Sequence, residues 1–387
     1  MLNEFSQFKT VLRDFISRSA ASAHSSEQDF NSIALQLFAI QFEAVVPYKR
    51  LCEPRKVTPE NVKHWTEIPS VPTRAFKELE ITSLLPGERT NCFHSSGTTE
   101  QKPSRHFQNA ESLAIYETSL LPWFHHHLLA DWDDLTANDV VGPLDKPGFI
   151  SLTPSAQQAP HSSLVHMFET ACREFGSRDS FFAGRVDPAG AWTLDIEQVL
   201  FGIRKSMCAN RPIIILGTAF SFVHLLDHFA ANNMRYRLAA GSRVLETGGY
   251  KGRSRELPKN ALHTLISKHL GIPASHIVCE YGMSELSSQA YDRAILFAEP
   301  DSAETTAQSP RVFQFPPWAR GHVVSPETGR EVADGKTGLI RVFDLANVHS
   351  VMAVQTEDLG IRHGGGFELI GRAQHSEPRG CSLMPAQ

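Results

Sequence analysis

The first twenty residues mix apolar and polar positions at helical spacing. Phe5, Phe8, Leu12, Phe15 and Ile16 fall on one side, with Glu4, Lys9, Arg13, Asp14 and Arg18 around them. This predicts an amphipathic helix over residues 1–20 rather than a secretory leader. Ala110–Leu129 predicts a second long helix. Its "HHH" at 125–127 reads as a solvated surface cluster, because consecutive helical residues point in different directions and cannot chelate jointly. Between the two helices, "EIPSVPTRAFKELE" holds Pro69 and Pro72, which fix an extended connection.

The pattern changes in the middle of the chain. "PIIILG" (212–217) is a continuous apolar run ending in glycine, as a buried parallel strand would be. The helical stretch "SFVHLLDHFAANN" follows, then the run "SRVLETGG", the helical "PKNALHTLISKHLG" and a third run, "SHIVCEYG". Strand, helix, strand, helix, strand predicts a parallel sheet covered by helices. Ligands collect at the carboxyl ends of such strands. The loops "ETGGYKG" and "EYGMSEL" should therefore open near one crevice. Glu299–Pro317, rich in Ser, Thr, Ala and Pro, predicts an excursion loop. From Gly321 onward, alternation and glycine turns predict a small β-rich end, a distorted barrel packed on the sheet. The most apolar stretch, Ile213–Val223, is too short to cross a bilayer, so no integral membrane segment is expected.

A length of 387 residues suits one large α/β domain with an appendage, or two domains. Hydrophobic content of 41% with 20% charged residues describes a globular chain. A net charge of −5 gives no reason to expect nucleic acid as a partner, so any phosphate-binding groups must act locally. The six cysteines, at 52, 92, 172, 208, 279 and 381, show no C-x-x-C spacing. That points to a reduced, cytoplasmic protein with neither a zinc framework nor a disulfide scaffold.

Three spots carry candidate chemistry. "FHSSGTTEQKPSRHF" (93–107) gathers Ser95, Ser96, Gly97, Thr98 and Thr99 beside Lys102 and Arg105. Hydroxyls, accessible backbone N–H groups and nearby positive charge make a seat for phosphate oxygens, although the same residues also suit a flexible polar turn. In "EYGMSEL", Tyr281 can stack on a base and Glu285 can hold Mg²⁺ bound to phosphates. "TEDLG" places Asp358 beside a turn, where a carboxylate suits paired sugar hydroxyls. Each also fits a structural role: Tyr281 in the core, Glu285 as a helix N-terminal charge, Asp358 as a turn residue. Their order and spacing are what join them.

The order SSGTT, TGG, YGMSE, TEDLG, GR resembles the adenylate-forming superfamily of acyl-CoA synthetases and peptide-synthetase adenylation domains. Within it the chain is most similar to phenylacetate-CoA ligase-like enzymes, and closest to the LuxE-type acyl-protein synthetases of bacterial luminescence systems. "IPSVPTRAFK", the opening loop, "CEYGMSELSSQAYD", "GLIRVFDLAN" and "GRAQHSEPRGCSL" carry the likeness, from about residue 45 to 383. The resemblance implies an α/β adenylation domain with parallel sheets flanked by helices and a small β-rich C-terminal part. Residues 1–90 would form a helical N-terminal region, 91–300 the α/β core, and 301–387 the β-rich part with an acyl-accepting tail. The superfamily's mobile C-terminal domain is expected to be absent, because the sequence stops soon after Arg372.

The implied reaction has two steps. A carboxylate attacks the α-phosphorus of ATP, giving acyl-adenylate and pyrophosphate, and a thiol then takes the acyl group. Carried over, Ser95, Ser96, Gly97, Thr98 and Thr99 would cradle the phosphates. Gly248 and Gly249 would flank the adenine, with Tyr281 stacked on it and Gly282 adjoining. Ser284 would touch phosphate, Glu285 would coordinate Mg²⁺, Asp358 would bind the ribose, and Arg372 would lie near the ribose or α-phosphate. Glu100 stands where the superfamily usually has a glycine, which leaves the role of Lys102 open.

Cys381, in "SEPRGCSL", matches the acyl-accepting cysteine of the acyl-protein synthetases, and neighbouring Arg379 would favour its thiolate. Cys92 and Cys279 read as small buried hydrophobes. The leading expectation is an ATP- and Mg²⁺-dependent ligase that joins a long-chain fatty acid to a protein cysteine, with a reductase or carrier protein as a further acyl acceptor. Two alternatives stand beside it: delivery to CoA or a carrier-protein thiol with Cys381 a bystander, and a non-catalytic nucleotide-binding homologue. A serine hydrolase is excluded, since Ser284 in "YGMSEL" lacks the second glycine of G-x-S-x-G.

Overall fold

In the N-terminal helix α1 (Leu2–Ser22) the apolar stripe Phe5, Phe8, Leu12, Phe15 and Ile16 is buried along its length, as its spacing predicts. The computed structural model describes residues 2–95, 102–132, 146–249, 255–292, 295 and 310–373. Helices α2 (Glu27–Ala44) and α3 (Val46–Cys52) follow α1, and Ser26 caps α2 by accepting from the Asp29 N–H. Gln41 of α2 is fully buried. Its amide donates to the Asn347 carbonyl at 2.7 Å and accepts from the Met352 N–H at 3.0 Å, tying the N-terminal helices to the C-terminal strands.

The connection with Pro69 and Pro72 is extended: β1 (Val71–Pro72) adds in parallel to a strand of the C-terminal sheet through Val354 and Gln355. Helix α4 (Ala75–Glu78) leads toward the hairpin of β2 (Asn91–His94) and β3 (Arg105–Gln108), whose connection is the Ser/Thr/Gly loop. The predicted long helix is α5 (Ala110–Leu128). Its three histidines splay as expected, but the cluster is not wholly solvated. His125 is exposed, His126 stacks on Trp123, and His127 is buried against Tyr291 with ring centroids 4.9 Å apart. The apolar face of α5 looks inward at that turn and draws the imidazole with it.

The central sheet contains β4 (Gly148–Ser151), β5 (Phe181–Phe182), β8 (Ile213–Thr218), β9 (Arg243–Thr247), β10 (Ile277–Tyr281) and β11 (Ala290–Tyr291), in the order β11-β10-β9-β8-β4-β5. All neighbouring pairs are parallel except β10 with β11. A small hairpin of β6 (Gly184–Val186) and β7 (Trp192–Leu194) lies outside it. Every residue of β8, β9 and β10 is buried, as continuous apolar runs predict for strands covered on both faces. The helices are α6 (Ser163–Phe175), α7 (Ile196–Ala209), α8 (Ala219–Ala231) and α9 (Lys259–Leu270). Thr218 caps α8, and Gly271, at φ +70°, ends α9 in the left-handed conformation that favours glycine.

The β-rich end is a second sheet. Its strands are β12 (Val312–Phe313), β13 (Ala319–Val324), β14 (Thr337–Asp344), β15 (Ala353–His363) and β16 (Gly366–Arg372), in the order β12-β16-β15-β14-β13, with β1 on β15. Among the described residues the path is open from β12 to β13, so it is an open sheet rather than the expected barrel. Of the predicted excursion loop 299–317, residues 299–309 lie outside the described residues. Among the described residues no single helix is long and apolar enough to cross a membrane. The bent pair 27–44 and 46–55, 107° apart, passes on length and composition, but its apolar residues Phe30, Leu37, Phe38 and Tyr48 are buried in the protein core.

Candidate functional site

The ends of β9 and β10 lie side by side, with Thr247 in register with Glu280, so the two unusual loops leave the sheet together. Directly after β9, Gly248 adopts φ +67°, and a side-chain carbon added at Gly248 or Gly249 would meet no atom within 4 Å. The backbone is therefore open to close approach at this point. After β10 the chain runs through Tyr281, Gly282, Met283, Ser284 and Glu285.

Tyr281 is only 6% exposed, with its ring edge-on to Phe367 at 5.3 Å and to Phe313 and Phe315 at slightly longer range. Its hydroxyl donates to Asp358 Oδ2 at 2.9 Å. Asp358 is not beside a turn. It sits within β15, in register with Arg372 of β16 and next to a β-bulge at Leu359 and Gly360. The bulge re-aims the local side chains. Arg372, 80% exposed, brings Nε to 3.4 Å from Asp358 Oδ1. Burial pushes the Asp358 carboxyl above the usual carboxylate range, opposed by the Tyr281 hydrogen bond and the Arg372 charge. Burial, then the Asp358 charge, drives the Tyr281 phenol well above its ordinary value.

A second group forms around Glu285, which is buried. Its Oε2 accepts from Ser284 Oγ at 2.9 Å, and the Ser284 and Ser104 hydroxyls are 3.3 Å apart. Ser104 is the far end of the phosphate-type loop. Its N–H donates to Ser95 Oγ at 2.9 Å, while the Ser95 N–H donates to its carbonyl at 3.2 Å. The base of the loop thus closes on the tyrosine-glutamate segment. Ser96, Gly97, Thr98, Thr99 and Glu100 lie outside the described residues, as do Arg379 and Cys381. Lys102, exposed, stands 3.8 Å from Glu78 Oε2.

Burial raises the Glu285 carboxyl above its ordinary value, and the Ser104 and Ser284 hydroxyls pull the other way. A buried carboxylate among hydroxyl oxygens is an all-oxygen donor set of the kind a hard cation such as Mg²⁺ accepts, so these residues fit that ion.

Several residues that hold this arrangement had no role in the sequence reading. His106, buried on β3, makes a 2.8 Å hydrogen bond through Nδ1 with the Ser284 carbonyl, and burial lowers its pKa to about 4, so the ring is neutral and Nδ1 donates. Asp344, fully buried, accepts from the N–H groups of Ser287 and Ser288 at 2.8 Å each and from Ser288 Oγ at 2.7 Å. Asn347 donates to the Glu285 carbonyl at 2.8 Å. Both come from "FDLAN", where polar residues closing an apolar strand were the available signal. Of the two cysteines near the motifs, Cys92 is only half-buried. Cys279 is fully buried in the hydrophobic core as expected, and its sulfur also meets Glu246, His263 and Arg311.

Comparison with known proteins gives the family. The profile described as acyl-protein synthetase, LuxE, matches residues 136–387. A long-chain-fatty-acid–luciferin-component ligase of Vibrio harveyi is 21% identical over 88% of this chain and 82% of its own length. The protein of the same description from Aliivibrio fischeri is 22% identical over 92% and 87%. Among solved structures, a 2-hydroxyisobutyryl-CoA ligase in the postadenylation state with 2-HIB-AMP superposes with a TM-score of 0.60 at 12% identity, covering 89% of this chain and 67% of the ligase. A complex of that ligase with R3-HIB-AMP gives 0.61 at 11% identity, covering 88% and 67%. The α/β fold is therefore that of adenylate-forming ligases. With the profile spanning well over half of its residues, the chain belongs to the acyl-protein synthetase family LuxE and is a ligase.

Proposed function

We propose that the protein activates a long-chain fatty acid with ATP and passes the acyl group to the thiol of Cys381. A carboxylate oxygen of the acid bonds to the α-phosphorus, the bond from that phosphorus to the bridging oxygen breaks, and pyrophosphate leaves. The Cys381 thiolate then bonds to the acyl carbon and AMP departs as the leaving group. The observation that carries this reading is the joining of three motifs at one pair of strand ends: Tyr281 with Asp358, Ser284 with Glu285, and the base of the Ser95 loop with Ser284.

The roles are those the family resemblance implies. Gly248 and Gly249 give the adenine access to the backbone, and Tyr281 with Gly282 bounds it. Tyr281 fixes Asp358 through Oδ2, leaving Oδ1, beside Arg372, for ribose hydroxyls. Ser95, Ser96, Gly97, Thr98 and Thr99 take the phosphates with Ser284. Glu285, with the hydroxyls of Ser284 and Ser104 at hand, would hold Mg²⁺. Bound there, the ion would neutralise triphosphate charge that otherwise repels the attacking carboxylate. The chain's own contribution is to align the two anions and exclude water.

Pyrophosphate exchange and acyl labelling test the two halves separately. With Mg²⁺ and a long-chain fatty acid, the protein should catalyse acid-dependent ATP–pyrophosphate exchange without CoA. Labelled acid should remain on the protein as a thioester that neutral hydroxylamine releases. Cys381→Ser should retain exchange and lose the label. Label surviving in that variant, or acyl-CoA synthesis without labelled protein, would move the acceptor to CoA or a carrier thiol.

A further inference from the structure

We propose that Glu246, His263 and Cys279 form a binding site for a thiophilic divalent cation, with zinc the ion best suited to the donor set. The site lies on the opposite face of the sheet from Thr247 and Glu280. Glu246 of β9 and Cys279 of β10 are register partners, and His263 comes from α9, which covers that face. The three side chains are 2%, 5% and 0% exposed respectively.

The separations are those of a coordination face. Cys279 Sγ is 3.1 Å from Glu246 Oε2 and 3.5 Å from His263 Nε2, and the last two atoms are 3.5 Å apart. An ion bonded at about 2.3 Å to sulfur and about 2.0–2.1 Å to nitrogen and oxygen, with tetrahedral angles, needs edges of about 3.3–3.6 Å. Little movement is required to meet that. Carboxylate, imidazole and thiolate together are a mixed donor set that suits zinc, whereas the all-oxygen surroundings of Glu285 suit Mg²⁺. Among the described residues this is the one such group of potential ligands.

The surroundings supply a second layer. Asp292 Oδ1 accepts from the Cys279 N–H at 2.8 Å and holds that residue in place. Arg311, ion-paired with Asp292, points Nη1 at the Cys279 sulfur from 3.5 Å, and Lys259 Nζ is 4.0 Å from Glu246 Oε2. In the metal-free protein the charges already balance: Lys259 against Glu246, Arg311 against Asp292, and Cys279 a neutral thiol donating to Glu246. Binding exchanges one proton for the ion: the Cys279 S–H bond breaks, the sulfur–metal bond forms, the proton leaves to solvent, and nothing is oxidised or reduced. The Arg311 guanidinium then donates to the thiolate, as outer-layer N–H groups do at thiolate sites. Three protein ligands leave one position for water. Such an ion would fasten the ends of β9 and β10 immediately before Gly248 and Tyr281, as a positioning element rather than a catalytic one.

The experiment uses tag-free full-length protein grown with zinc, then metal-depleted protein titrated with Co²⁺. Wild type should retain about one zinc per chain after dialysis, and Co²⁺ should give the sulfur-to-metal charge-transfer band together with the intense visible bands of a tetrahedral site. Cys279→Ser, nearly isosteric, should abolish the charge-transfer band, and His263→Gln should lower retained zinc by at least about tenfold. Folded wild type with no retained zinc and no thiolate–cobalt band would overturn the proposal. So would zinc retained undiminished in Cys279→Ser, which would locate it elsewhere among the 18 histidines. The cobalt spectrum of wild type decides the question even if a variant fails to fold.

Discussion

The Tyr281 hydroxyl donates to Asp358 Oδ2 at 2.9 Å across the seam between the central sheet and the C-terminal sheet. One residue belongs to a parallel strand end and the other to the middle of an antiparallel strand, so the contact exists only when the two sheets are docked. Tyr281 thus has two functions: its ring closes an aromatic cluster with Phe313, Phe315 and Phe367, and its hydroxyl orients a half-buried carboxylate.

Tyr281→Phe separates those functions. The ring packing is retained, while Asp358 loses its neutral donor and keeps only the exposed Arg372. A hydrogen bond to a charged group contributes about 1.5–3 kcal/mol, so the KM for ATP in pyrophosphate exchange should rise by about tenfold or more with a smaller change in kcat. An unchanged KM for ATP would remove Asp358 from the nucleotide site.

The legible part of the fold was the part governed by local pattern. The apolar runs of β8, β9 and β10 alternate with helical periods, and a parallel sheet follows from that alternation. Asp358 was misplaced because "TEDLG" has turn chemistry, whereas its pairing with Arg372 and the adjacent bulge keep it within β15. Asp344 and Asn347 carried only the weak signal of polar residues closing an apolar strand, because their partners, Ser287, Ser288 and Glu285, lie far away in sequence. Sequence distance likewise separates Glu246, His263 and Cys279, which meet through strand register and a covering helix and leave no C-x-x-C signal. The barrel expectation failed for a related reason: alternation identifies strands but does not say whether the last one closes on the first.

Glu285→Gln tests the proposed metal ligand and the cost of burying it. The amide is close to isosteric, so Ser284 and Ser104 can repack around it. Because burial holds the folded pKa of Glu285 above its unfolded value, the ionised carboxylate is a destabilising group at neutral pH, and the neutral amide relieves it. Pyrophosphate exchange should fall by at least about 100-fold while the thermal midpoint stays level or rises. Exchange at the wild-type rate would exclude Glu285 as the metal ligand. A collapse of the midpoint would make its role structural.

Glu280 provides the clearest pH dependence. It is buried in β10, bonded to the Thr247 hydroxyl, and burial pushes its pKa from 4.5 up to about 7. The folded state therefore binds the Glu280 proton more tightly than the unfolded chain does. Its stabilising contribution is complete below pH 4.5 and drains away as pH rises through about 7. Glu280→Gln mimics the protonated form at every pH. Its thermal midpoint should lie near wild type at pH 5 and move above it progressively to pH 8, a difference on the order of 3 kcal/mol at most. Other carboxylates and histidines titrate in both proteins, so the difference between the two curves isolates this residue. Calorimetric melts of both proteins across that range provide the check. A difference that stays flat with pH would show that Glu280 is ionised in the folded protein throughout, with Thr247 and a neighbouring cation compensating for its burial.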